Sequence, residues 1–264
     1  MTQFTNFAPL FPDFHYQKIN EYFKSLPHIE PQFQLSNMNS IKLNGTYFLC
    51  FTNRCGSNYV AQAISSDGKL NQAGENINYH TVINHSSRLG FSSFAEYFFW
   101  LVNHTKGQSE IFGCKVSVAQ LLLLNNEELL NKFTTKPKFI HIVRKDVVAQ
   151  AVSLFIASKT NQWTSEQLGS DVPIDYDKDA LISILRSICF QNAAFESIFQ
   201  LFGISPLVVY YEDFVESPHL WMERIGSFLG VNDLAYVSNT IRYNKQTDHR
   251  NDMLISRFRQ EFKL

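Results

Sequence analysis

The most informative chemistry-bearing residues in this chain are in Thr52-Asn-Arg-Cys-Gly-Ser-Asn58. This polar loop breaks the apolar, β-prone run Tyr47 to Phe51 and leads into a helix-compatible stretch. A helix that starts at a glycine-containing turn points unsatisfied backbone N–H groups, and the positive end of its dipole, into the loop. That suits a phosphate or a sulfate. Arg54 adds a fixed charge with planar donors, and Ser57 and Asn58 add neutral ones. An ordinary strand-turn-helix with a solvated arginine is the competing reading.

The elements that must position such a loop follow from periodicity. Apolar runs of strand length recur at Tyr47 to Phe51, Ile111 to Val116, Lys138 to Val143 and Pro206 to Tyr211. Helical patterns, with apolar residues three and four apart, occupy Val118 to Phe133, Asp146 to Thr160 and Pro218 to Leu229. Asp179 to Phe202 reads as a further long helix. This alternation predicts an α/β protein: a single domain with a central, mostly parallel sheet flanked by helices. Residues 1–46 carry prolines at 9, 12, 27 and 31 and read as an irregular extension packed on the domain, with one short helix around Tyr16 to Ser25.

Ligands of such sheets bind outside the carboxyl ends of the strands. The loops there are Thr52 to Asn58, the segment following Lys115, and Arg144-Lys-Asp146. Cations sit in or beside all three, which suits a ligand with two separated anionic groups.

Composition narrows the partners. A chain of 264 residues with 45% hydrophobic content can bury a full core. Its net charge of −1 and lack of a basic block disfavour nucleic acid and anionic membrane surfaces as partners. Cys50, Cys55, Cys114 and Cys189 form no CxxC pair, so reduced thiols in a reducing compartment are expected rather than disulfides or zinc. No apolar run reaches the length of a membrane span, and no secretory leader pattern opens the sequence. Cytoplasm is the expected location.

Missing motifs narrow the chemistry. The loop lacks the Gly-x-x-x-x-Gly-Lys-Ser/Thr of nucleoside triphosphatases, which disfavours Mg-ATP. Cys50 precedes Arg54 by only four positions, too close for the phosphatase loop spacing. There is no Gly-x-Ser-x-Gly elbow, His-Glu-x-x-His zinc motif or dinucleotide fingerprint.

The residues that remain resemble the sulfotransferases that use 3′-phosphoadenosine 5′-phosphosulfate (PAPS), in particular the bacterial trehalose 2-sulfotransferase-like group. Arg54-Cys-Gly-Ser-Asn58 parallels that group's first loop, which reads Arg-Ser-Gly-Ser-Thr. His141-Ile-Val-Arg-Lys-Asp-Val-Val-Ala-Gln-Ala-Val-Ser153, followed by Thr160 and Trp163, is similar to its 3′-phosphate segment and is far more specific. Tyr211-Glu-Asp-Phe214 with Pro218 and Phe228-Leu-Gly230 resembles a later strand-helix unit. Gln246-Thr-Asp-His-Arg250 with Asp252 and Arg257 resembles the C-terminal segment.

The resemblance implies a P-loop-like sulfotransferase fold over residues 47–264. It also implies PAPS as donor, its desulfonated product PAP, no metal, and a carbohydrate or glycolipid acceptor. A homodimer stays open. The 5′-phosphosulfate would lie on Arg54, Cys55, Gly56, Ser57 and Asn58. The 3′-phosphate would lie on Arg144 or Lys145 with Ser153, which falls seven residues after Asp146 on nearly the same helix face. Trp163 would pack over the adenine, and Lys115 and Arg250 would face the anionic cofactor, each with a solvated surface cation as its competing reading.

Sulfonyl transfer also needs a base for the acceptor hydroxyl. In the resembled group a glutamate thought to be the base stands seven residues after a glycine, and Gly68 to Glu75 repeats that spacing. The aromatic pair usual after that glutamate is Asn76-Ile-Asn78 here. Asn58 replaces a Ser/Thr, and Cys55 replaces a serine beside a cation and a helix start, so a reactive thiol and a passive one both fit. The sequence also leaves open a nucleotide or carbohydrate kinase on a related fold, and a non-catalytic PAP-binding homologue. His80, His85 and His104 lack metal-ligand spacing. The Phe91 to Trp100 aromatic cluster reads mainly as the buried side of a helix.

Overall fold

The structure, a computed structural model, describes residues 14–27, 41, 43–107, 109–134, 136–164, 167, 169–170, 172–242 and 249–263. Four strands, β1 (Gly45–Phe51), β2 (Ile111–Val116), β3 (Lys138–Val143) and β4 (Leu207–Tyr210), form one parallel sheet. Their order is β2-β1-β3-β4, so β1 and β3 are central. β1, β2 and β3 are covered on both faces and need apolar residues on both, which is why they read as continuous apolar runs, whereas edge strand β4 leaves Val208 and Tyr210 exposed. In β1, Phe48 and Cys50 join one core cluster, whereas Tyr47, Leu49 and Phe51 join another on the opposite face.

The first cluster is closed by α1 (Phe14–Ser25), α3 (Tyr79–Leu89), α4 (Phe94–Thr105), α5 (Val118–Asn126) and α7 (Lys178–Leu201). The second is closed by α2 (Ser57–Ile64), α8 (Tyr211–Glu216) and α9 (Pro218–Leu229). A third, smaller cluster joins α6 (Val147–Thr160) to α7 and α10 (His249–Phe262). The helix starts are specified locally. Ser117 and Gln120 form a capping box at α5, Asp146 caps α6, Asp177 caps α7, and Pro218 opens α9.

The expected α/β architecture is present, with differences of length: β1 starts at Gly45 rather than Tyr47, and Tyr211, expected at the end of the fourth strand, opens α8 instead. The helix expected over Val118 to Phe133 ends at Asn126. Glu128 takes a left-handed φ of 56°, and Leu129 N–H turns back to the Leu124 carbonyl at 2.8 Å. Leu129, buried in the core, and Leu130 and Phe133, packed against it, prolonged the apolar period past the point where the helix stops. The helix expected around Tyr16 to Ser25 is α1, whose Ile19 is buried in the first cluster. Most of the reading of residues 1–46 falls outside the described residues, as do Gln246, Thr247 and Asp248 of the C-terminal motif. No described helix is long and apolar enough to cross a membrane.

Candidate functional site

The strand order sets the loops after β1 and β3 side by side at the carboxyl edge of the sheet. The first loop is tightly shaped. Arg54 has φ 65° and Gly56 has φ 89°, and Gly56 stands as the N-cap of α2. A Cβ on Gly56 would lie 2.1 Å from Cδ2 of Tyr211, so both the backbone angle and the close approach require glycine. From below, the fully buried Gln150 of α6 donates Nε2–H to Thr52 Oγ1 and to the Asn53 carbonyl, each at 2.8 Å.

Cys55 is buried beneath the loop, its N–H on the Thr52 carbonyl at 3.2 Å and its sulfur against Ser57. Burial pushes its thiol up, with the Lys115 charge opposing, so the passive reading of this cysteine fits its surroundings. All four cysteines are free.

Arg54 crosses to the neighbouring loop system. Its Nε–H donates to Ser153 Oγ at 2.9 Å, and a terminal N–H donates to the Trp163 carbonyl at 2.6 Å. Arg144, just after β3, donates to the Arg54 carbonyl at 3.2 Å and lies over the Tyr211 ring at 5.7 Å. Burial first, and the Arg144 charge second, hold the Arg54 guanidinium below its ordinary range. Ser153 is therefore reached by Arg54 rather than by Arg144, and the two expected anion sites share one arginine.

Lys145 faces elsewhere. Its ammonium pairs with Asp213, and that hydrogen bond is the main reason its pKa is raised. Its backbone N–H donates to Glu212 Oε2 at 2.9 Å, and the Asp146 N–H reaches Glu212 Oε1 at 3.4 Å. Asp146 caps α6 through Ala149 N–H at 2.9 Å and pairs with Arg259 at 2.8 Å. Trp163 stands at the rim with 41% of its surface exposed. Arg250 lies in the first turn of α10, half-buried, on a helix packed against α6.

A third group of residues joins the first loop to the segment before α3. Gly74 bridges to Cys114 in parallel, and Lys115 N–H donates to the Gly74 carbonyl at 2.9 Å. This sets Glu75 beside β2. The Lys115 ammonium bonds Glu75 Oε1 at 2.6 Å and also contacts Asn58 Oδ1. Glu75 and the first loop thus meet on one nitrogen that lies 40 residues beyond Glu75 and 57 beyond Asn58.

Other residues fall into quieter roles. His80 is exposed, while the Nδ1 atoms of His85 and His104 sit on carbonyls four residues back, at 2.9 and 2.8 Å. Among the described residues, no group of His, Cys, Asp and Glu could hold a metal ion. Phe94 and Tyr97 to Phe99 are core residues of α4. Sequence reasoning missed the bracing roles of Gln150, Tyr211 and Glu212. The Tyr211-Glu-Asp-Phe motif contains the last two and the His141 to Ser153 motif contains Gln150, but neither motif told what these side chains touch.

A parallel sheet that turns its central strand ends into two adjoining arginine-bearing loops offers an anion-binding edge, and comparison with known proteins gives the class. Residues 46–261 match the family model described as Stf0 sulphotransferase, and the chain belongs to that family. It is 28% identical over 131 residues to trehalose 2-sulfotransferase of Mycobacterium tuberculosis, which bears out the resemblance to that group. The match covers 48% of this chain and 47% of that protein, so the chain spans about half the length of its curated relative. The crystal structure of a sulfotransferase from Alicyclobacillus acidocaldarius aligns at TM-score 0.50 and 13% identity, covering 83% of this chain and 92% of that one. That likeness concerns the fold alone.

Proposed function

We propose that this protein moves the sulfonate group of PAPS to a hydroxyl of a carbohydrate or glycolipid by direct in-line transfer. The observation that carries the reading is Arg54, whose side chain joins the glycine turn to Ser153 and whose carbonyl holds Arg144. PAPS carries a 5′-phosphosulfate and a 3′-phosphate on one ribose, and two adjoining cationic loops match that pair. Two like charges close together disfavour each other, and an anion between them relieves this.

In this reading the first-turn N–H groups of α2 and Arg54 hold the phosphosulfate, and Arg144 and Ser153 hold the 3′-phosphate. The acceptor oxygen bonds to sulfur as the bond from sulfur to the 5′-phosphate oxygen breaks. Glu75 takes the hydroxyl proton, and the loop donors stabilise the charge gathering on the leaving oxygen. No metal enters the scheme. The trehalose 2-sulfotransferase relative supports a carbohydrate acceptor.

The test is transfer of labelled sulfonate from PAPS into a panel of sugars and cell-envelope extracts, with thermal shifts by PAP and by Mg-ATP alongside. Label in a sugar and stabilisation by PAP alone support the proposal. Stabilisation by Mg-ATP with no labelled product overturns it in favour of a kinase.

A further inference from the structure

Lys115 is out of place in the fold. It lies on β2 between Cys114 and Val116, both fully buried, and its own side chain is 1% exposed. An apolar side chain would suit that surrounding, since a buried ammonium is costly unless it is paired and hydrogen-bonded. Its carboxylate partner is not buried with it, because the Glu75 side chain is 42% exposed. The pair thus runs from the core outward to the mouth of the site.

Two of the three ammonium donors have defined acceptors, Glu75 Oε1 and Asn58 Oδ1, and the ring of Phe51 lies 4.4 Å from the nitrogen. Because both oxygens contact one nitrogen, their separation is bounded by two hydrogen-bond lengths. Pinning Asn58 Oδ1 also decides which way the amide faces, with its Nδ2 donors directed away from Lys115. The Glu75 backbone is fixed to the same strand through the Gly74 and Lys115 contacts.

We infer that Lys115 is a positioning residue for sulfonate transfer: its buried ammonium holds the carboxylate of Glu75 in register with the Asn58 amide of the phosphosulfate loop. This rests on the proposed transfer reaction. It adds that base and loop donors are aligned by one internal cation rather than by the bound substrate.

The test is Lys115→Met, with Lys115→Gln as a second variant should the first fail to fold. Turnover is expected to fall about 10²-fold, the scale of a misplacement of roughly 1 Å, while PAP affinity by calorimetry stays within about threefold. Lys115→Arg is expected not to restore turnover, because the planar guanidinium does not fit the slot of an ammonium. On a Glu75→Gln background, Lys115→Met is expected to cost almost nothing more, since the group it aligns is gone.

Equal turnover in wild type and Lys115→Met overturns the inference, as does an undiminished loss on the Glu75→Gln background. The side-chain amide resonances of Asn58 supply a readout apart from activity, and they are expected to shift in Lys115→Met. If wild type transfers no sulfonate while those resonances still shift, the alignment stands and the transferase reading falls. Unmoved resonances sink the alignment itself.

Discussion

Arg54 Nε donates to Ser153 Oγ at 2.9 Å, a bond between residues 99 apart in sequence that fastens the glycine turn to the helix after β3. Ser153→Ala removes the acceptor and leaves Arg54 less well aimed. A hydrogen bond to a charged group contributes about 1.5–3 kcal/mol, so PAP affinity is expected to fall at least about tenfold. Calorimetric titration with PAP measures it, and an unchanged affinity would separate Ser153 from the nucleotide site.

Glu75→Gln keeps the shape and removes the basic oxygen. Turnover is expected to drop about 10²–10⁴-fold with PAP binding retained. Normal turnover in this variant removes Glu75 from the mechanism.

Arg144→Ala deletes the cation on the Arg54 carbonyl and the charge assigned to the 3′-phosphate. PAP affinity is expected to weaken about 10- to 100-fold, with a shallower salt dependence. Titrations at low and high salt check both, and a loss confined to turnover contradicts the assignment.

Gly56→Ala meets two obstacles, a φ of 89° and the Tyr211 ring 2.1 Å from the new Cβ. Destabilisation of at least about 1–3 kcal/mol is expected, read as a lower urea midpoint, together with loss of stabilisation by PAP. Shortening Tyr211 to alanine in addition should recover only part, because the backbone angle remains.

His141 gives a pH signature. The ring is 2% exposed against Phe195 and Phe199, and its Nε2 has no partner. Burial lowers its pKa from 6.5 to about 4. Between those values the unfolded chain binds a proton that the folded chain does not. The stability this contributes is complete above the unfolded value and is lost as pH falls through the folded one, about 3 kcal/mol in all. Urea unfolding at about pH 7.5 and about pH 5 should show a smaller decline for His141→Leu than for wild type.

β1, β2 and β3 were legible because burial on both faces leaves an unbroken apolar run; β2 and β3 match their expected ends, Ile111–Val116 and Lys138–Val143. The helix bounds were less so, because Leu129, Leu130 and Phe133 extend an apolar period that the backbone abandons at Asn126. α8 has only six residues, too few for a period to show, and the polar α3 was passed over. At the site, local patterns exposed Arg54, Gly56 and Arg144. The contacts of Lys115 with Glu75 and Asn58 span 40 and 57 residues, and that of Gln150 with Thr52 spans 98. Only the packed sheet brings such partners together, so no local pattern announces them.

The buried amide of Gln150 has a thermodynamic consequence. Its two bonds hold the backbone and hydroxyl of the glycine turn from inside the protein, so the turn takes its shape when the chain folds. A nucleotide arriving there has little chain to order. Its association should resemble the docking of two rigid bodies, with a heat-capacity change that reports the contact surface alone.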